Sequence, residues 1–118
     1  MKLSLVVPCY NEEENVERFF NEVNSVFNNK VPDFEFVFVN DGSKDDTYKN
    51  LKKLYKENRF SNIQVLTFSR NFGKEAAILA GLKRASGDYV SLVDADLQQR
   101  PEIVLDMVQY LEEHEEYD

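Results

Sequence analysis

Four short, nearly unbroken apolar stretches, residues 3–7, 34–39, 63–68 and 89–93, recur along the chain with polar, turn-forming residues between them. Runs of β-branched and aromatic residues this short suit strands covered on both faces, as in a parallel sheet; a strand with one wet face would alternate. A stretch with helical spacing follows each of them.

After the first run, Val16, Phe19, Phe20, Val23 and Phe27 recur at helical spacing, and Asn11 and Glu14 stand three apart like a capping box at its start. After the second, Ser43 or Asp45 can cap a helix carrying Tyr48, Leu51 and Tyr55. Residues 73–85 are apolar on most sides and rich in small residues, Ala76, Ala77, Ala80 and Gly81, which predicts close packing on the sheet before a stop at Ser86-Gly87. A fourth helix is predicted from Pro101, with Ile103, Val104, Met107, Val108 and Leu111 on its apolar side. Strand and helix therefore alternate four times in units of about 30 residues. Right-handed crossovers then predict a Rossmann-like three-layer α/β/α fold with a mainly parallel sheet.

Composition narrows the classes. At 118 residues, 42% hydrophobic and 31% charged, the chain suits one globular domain without linker or repeat. Its formal net charge of -8 disfavours nucleic acid and anionic lipid surfaces as partners of the chain as a whole, so a phosphate ligand would need a local positive centre. Cys9 is the single cysteine, which excludes an internal disulfide or a cysteine-based zinc cluster and fits a reducing compartment. No apolar run approaches the roughly 20 residues of a membrane helix. Met1-Lys2 leads straight into a strand-like run, so the expectation is a soluble, cytoplasmic chain.

The polar residues with chemical potential cluster after the predicted strands: Cys9-Tyr10-Asn11-Glu12, Asn40-Asp41-Gly42-Ser43, residues 69–74, and Asp94-Ala95-Asp96. Open α/β sheets bind ligands at that edge. Side chains alternate along a strand, so Asp94 and Asp96 are expected to point the same way and to share a hard cation, Mg2+ or Mn2+, with Gln98 near enough to add a neutral oxygen. Each cluster also has a plain structural reading. One aspartate can cap the helix at Pro101; Asn40-Asp41-Gly42-Ser43 is ordinary turn chemistry; Glu12 suits a helix N-terminus. Tyr10 could stack on a base, Glu12 bind a nucleotide hydroxyl, Asp41 accept from a base or ribose, and Arg70 and Lys74 contact phosphate, or the last two could compensate surface acidity. His114 lies in an acidic stretch best read as a solvated face, and Cys9 reads as a small core or rim residue.

Three stretches carry a likeness: Val7-Pro8-Cys9-Tyr10-Asn11-Glu12-Glu13, Val39-Asn40-Asp41-Gly42-Ser43 with Lys44-Asp45-Asp46-Thr47, and residues 87–98 with Asp94-Ala95-Asp96-Leu97-Gln98. Together they resemble family 2 glycosyltransferases of the GT-A fold. With Ser69-Arg70-Asn71-Phe72-Gly73-Lys74-Glu75 they look most like the dolichyl-phosphate mannosyltransferase and undecaprenyl-phosphate glucosyltransferase branch. The resemblance implies a nucleotide-sugar donor of the UDP-glucose or GDP-mannose type, held by Pro8, Tyr10, Glu12, Val39 and Asp41 at the nucleoside and by Asp94, Ala95 and Asp96 nearer the diphosphate. It implies a divalent metal on Asp94, Asp96 and Gln98, inversion at the anomeric carbon, and a lipid-phosphate or glycan acceptor. Members of that branch are longer and often carry membrane-associated segments. Residues 1–118 are therefore expected to be the donor-binding part of an enzyme truncated at its C-terminus and working at the cytoplasmic face of a membrane. No catalytic base can be assigned, and an unfinished sheet edge predicts a tendency to self-associate.

Two other classes use acidic edges. A non-catalytic nucleotide-binding or receiver-like module would place its acidic pair after the first strand, where Cys9-Tyr10-Asn11 stands; phosphorylation by a small phosphodonor tests it. A haloacid dehalogenase-type phosphatase would need its Asp-x-Asp near the chain start, and hydrolysis of an aryl phosphate tests that.

Overall fold

The computed structural model describes residues 2–27, 33–58, 63–96 and 106. Within them β1 (Leu3–Cys9), α1 (Val16–Phe27), β2 (Phe34–Asn40), α2 (Thr47–Glu57), β3 (Ile63–Thr67), α3 (Lys74–Arg84) and β4 (Tyr89–Leu92) follow in order. All pairings are parallel, in the order β3-β2-β1-β4. The helix predicted from Pro101, and His114, lie outside the described residues.

The sheet separates two unequal cores, which makes the three layers. On one side Leu3, Leu5, Val7, Phe36 and Phe38 meet the buried stripe of α1, Val16, Phe19, Phe20, Val23 and Phe27, together with Leu51 and Leu54 of α2. Phe36 and Phe38 stack at 5.5 Å, and Phe19 stands edge-on to both at 6.4 and 6.2 Å. Such edge-on pairs add about 0.5–1.5 kcal/mol each beyond their buried area. On the other side the core is thin, Val6, Val37 and Val39 against Ala77. Gly81 of α3 explains the close approach: a Cβ there would lie 2.4 Å from Val6 Cγ1, so a larger residue would push the helix off the sheet.

Pro8 sits within β1, the strand between β2 and β4, without breaking the ladder. Val6 accepts from Val93 N on the β4 side and Cys9 accepts from Asp41 N on the β2 side. Alternation therefore turns Pro8 towards β4, past the last paired residues, Val6 and Leu92, where no donor is needed.

Four expectations need correction. Asn11 and Glu14 form no capping box: α1 starts at Val16, and Asn11 adopts φ 55 with its side chain turned to the second loop. Neither Ser43 nor Asp45 is the N-cap of α2, which is Asp46 and makes no side-chain cap bond; Ser43 accepts from Asn11 N, and Asp45 accepts from Thr47 N at 2.9 Å from one position further out. Tyr48 and Tyr55 are exposed, and the buried stripe of α2 is Thr47, Leu51 and Leu54. Cover on both faces holds for β1 and β2 but fails at the edges: Val90 and Leu92 of β4 are 42% and 45% exposed.

Candidate functional site

The carboxyl ends of the strands frame a cavity of about 480 Å³ lined by Pro8, Cys9, Tyr10, Glu12, Asp41, Asn71, Gly73, Lys74, Asp94, Ala95 and Asp96. Seven of the eight predicted donor contacts are here. Val39 is the eighth; it does not line the cavity, and its side chain is buried against Ala77 of α3. Gln98 lies outside the described residues.

β4 ends at Leu92, Val93 N still donates to Val6 O, and Ala95 and Asp96 lie in a turn. Val93 and Ala95 are both buried in the α1 side core, which leaves Asp94 and Asp96 at the alternate positions. Both line the cavity. Asp94 Oδ1 accepts from Lys74 Nζ at 3.0 Å, so an ammonium sits on one member of the acidic pair.

At the exit of β1, Tyr10 lines the cavity and is 41% exposed. Glu12 is held from two sides. Its backbone N donates to Thr47 Oγ1 at 2.7 Å, and its Oε2 accepts from Asn15 Nδ2 at 2.7 Å. Cys9 is buried, and burial followed by the nearby Glu12 charge pushes its thiol far above the ordinary range, so it is a packed thiol and no nucleophile.

Asp41 is 3% exposed and shapes one wall. Its Oδ1 accepts from Phe72 N at 2.8 Å, and its Oδ2 accepts from Gly73 N at 3.1 Å and Asn71 Nδ2 at 3.2 Å. An ionised carboxylate has about four acceptor sites, so one remains for a further donor. Gly42, at φ 64, is needed at this junction because a Cβ would fall 2.1 Å from the Arg70 carbonyl carbon. Asn71 and Gly73 were missed as lining residues; their only sequence signal was their place in residues 69–74. Arg70 does not line the cavity, and its guanidinium lies 4.7 Å from the centre of the Phe72 ring.

Four carboxylates face one ammonium in this cavity. An anionic ligand would meet net repulsion without an added cation. No cluster of three or more His, Cys, Asp or Glu forms among the described residues. Asp94 and Asp96 nevertheless carry the hard oxygen donors that Mg2+ or Mn2+ takes, ions that keep several ligand positions for phosphate oxygens and water, and a cation, the Lys74 ammonium, already rests on Asp94. A second cavity, about 450 Å³ between α2 and the β3 edge, is lined by residues including Tyr48, Lys52, Tyr55, Lys56 and Arg84, with no carboxylate among the described residues.

The family model for glycosyl transferase family 2 matches residues 4–117. The chain belongs to glycosyl transferase family 2. An uncharacterised glycosyltransferase of Synechocystis is 44% identical over 92% of this chain and 33% of its own length. A bactoprenol glucosyl transferase of a Shigella phage is 43% identical over 92% of this chain and 35% of its own. The crystal structure of TarS from S. aureus in complex with UDP-GlcNAc superposes with a TM-score of 0.77 at 31% identity, over 98% of this chain and 32% of that one. The three layers and parallel sheet are thus those of the GT-A glycosyltransferases. The chain spans about a third of the length of the relatives it matches. Family membership separates it from the receiver-like and haloacid dehalogenase readings.

Proposed function

We propose that this family 2 chain is the donor-binding part of a longer inverting glycosyltransferase, moving a hexose from a nucleoside-diphosphate sugar of the UDP-glucose or GDP-mannose type to a polyprenyl phosphate. The observation that carries this is the single cavity that joins Tyr10 and Asp41 at one side to Asp94 and Asp96 at the other. The phage relative's name, bactoprenol glucosyl transferase, supports the lipid acceptor over a glycan, and the UDP-GlcNAc bound to TarS supports the donor class.

In this reading Tyr10 stacks on the base beside Pro8, Glu12 accepts from the nucleotide's hydroxyls, and the remaining acceptor site of Asp41 takes a base or ribose donor. Val39 flanks Pro8, its register partner, on the neighbouring strand. Asp94 and Asp96, with Gln98, hold Mg2+ or Mn2+ at the diphosphate, and Ala95 keeps the two carboxylates apart by filling the core. The bound ion would stabilise the negative charge that grows on the departing nucleoside diphosphate. A lipid phosphate is already anionic, so the acceptor needs positioning more than deprotonation. Among the described residues no helix is long and apolar enough to cross a membrane; the proposed acceptor places the whole enzyme at the cytoplasmic membrane face.

Thermal unfolding with UDP-glucose or GDP-mannose, with and without Mn2+, tests this. Ligand at a hundredfold excess over Kd adds about 2.7 kcal/mol and raises Tm by several degrees in a domain of this size. The rise is expected to need metal and to shrink in Asp96→Ala. No rise with any nucleotide sugar plus metal, or an undiminished rise in Asp96→Ala, overturns the reading.

A further inference from the structure

Lys74 stands at the first position of α3, on the cavity wall facing the acidic pair. Its ammonium lies 3.0 Å from Asp94 Oδ1, and both side chains retain solvent access, 64% for Lys74 and 38% for Asp94. An exposed ion pair of this kind is weak and readily exchanged. A divalent ion taking Oδ1 of that carboxylate would compete with the ammonium for it, because two cations at one oxygen repel each other. Once released, the ammonium stays within the cavity on a flexible four-carbon stem, the only cationic side chain lining it among the described residues. There it also meets Glu12, Asp41 and Asp96, and an incoming diphosphate carries more negative charge than any one of them.

We propose that Lys74 is the resident counter-ion of the cavity: it holds Asp94 when no donor is bound, yields it to the divalent metal, and passes to the diphosphate. This inference rests on the metal and donor reading above. It makes Lys74 a positioning and donor-binding residue with two opposed effects. It competes with the metal and cooperates with the nucleotide, so metal bound without nucleotide is disfavoured and the two ligands load together.

Lys74→Met separates these effects, and its exposure means that folding should survive, which a melting curve confirms. Mn2+ affinity is read from the electron paramagnetic resonance signal of the free ion, and UDP affinity by calorimetry in saturating Mn2+. Without nucleotide, Lys74→Met is expected to bind Mn2+ roughly two- to fivefold tighter than the parent, the size of an exposed ion pair. In Mn2+, it should bind UDP roughly tenfold more weakly, the loss of a charge-assisted contact. Lys74→Arg should restore UDP binding. In an Asp94→Asn background the Mn2+ gain should vanish. Equal or weaker Mn2+ binding in Lys74→Met overturns the counter-ion role, and unchanged UDP affinity overturns the transfer to the diphosphate. If neither the parent nor Lys74→Met binds Mn2+ with or without UDP, the metal reading itself fails, a different outcome from either.

Discussion

Glu35 and Asp41 lie at opposite ends of β2, both 3% exposed, and each ties down one end of α3. Glu35 accepts from Ser4 Oγ, Ser86 N and Oγ and Gln64 Nε2, with Lys2 Nζ at 4.0 Å, so it gathers β1, β3 and the turn after α3. Asp41 does the same for residues 71–73 before α3. The difference is in what surrounds them. Every partner of Glu35 belongs to the scaffold, whereas Asp41 also forms a wall of the cavity. The same device, a buried carboxylate accepting several N–H or O–H groups, therefore serves stability at one end and site geometry at the other. A polar residue in a strand is not by itself a sign of chemistry; its distance from the ligand edge decides.

Removing each carboxylate should separate the two roles. Glu35→Ala leaves several buried donors without an acceptor and should cost about 3 kcal/mol, read by denaturant unfolding, while UDP affinity of the folded fraction stays within about twofold. A tenfold loss of affinity would break the contrast. Asp41→Asn places an amide N–H against the donors of residues 71–73. It should cost about 1–3 kcal/mol and also weaken UDP binding roughly tenfold by calorimetry. A purely structural loss there would make the two ends equivalent.

The smallest effect is in pH. Burial pushes the Glu35 carboxyl up, but hydrogen bonds donated by Ser4, the Ser86 backbone, Gln64 and the Ser86 hydroxyl hold it below its usual value of 4.5. Its folded value is lowered, so its contribution is complete above the unfolded value and is lost as pH falls through the lowered one. Glu35→Gln should flatten the stability loss in acid below about pH 4.5, measured as unfolding free energy against pH. An unchanged acid slope would show that Glu35 is not the group that titrates.

Much of this was legible because periodicity is local information. The five buried residues of α1 are those its spacing marked, and the four polar clusters fell at strand carboxyl ends because strand and helix alternate. Capping was read less well. Asn11 at helix-like spacing before α1 was taken by a partner 33 residues away, Lys44 N, and a residue cannot cap a helix and bridge two loops at once. The exposed Val90 and Leu92 show the same limit: an apolar run says that cover is wanted, not which element supplies it.

By itself the sequence determined the strands, the buried helix faces and the family likeness. All of these follow from residues a few positions apart and from the alternation of side chains. Only the tertiary structure decided that Asp41 spends three acceptor sites on residues 71–73, that Asn71 lines the cavity while Arg70 turns to Phe72, and that Lys74 rests on Asp94. Those contacts join residues 20 to 32 positions apart or sort neighbours in a loop. The parallel crossovers that bring them together leave no periodic trace in the chain.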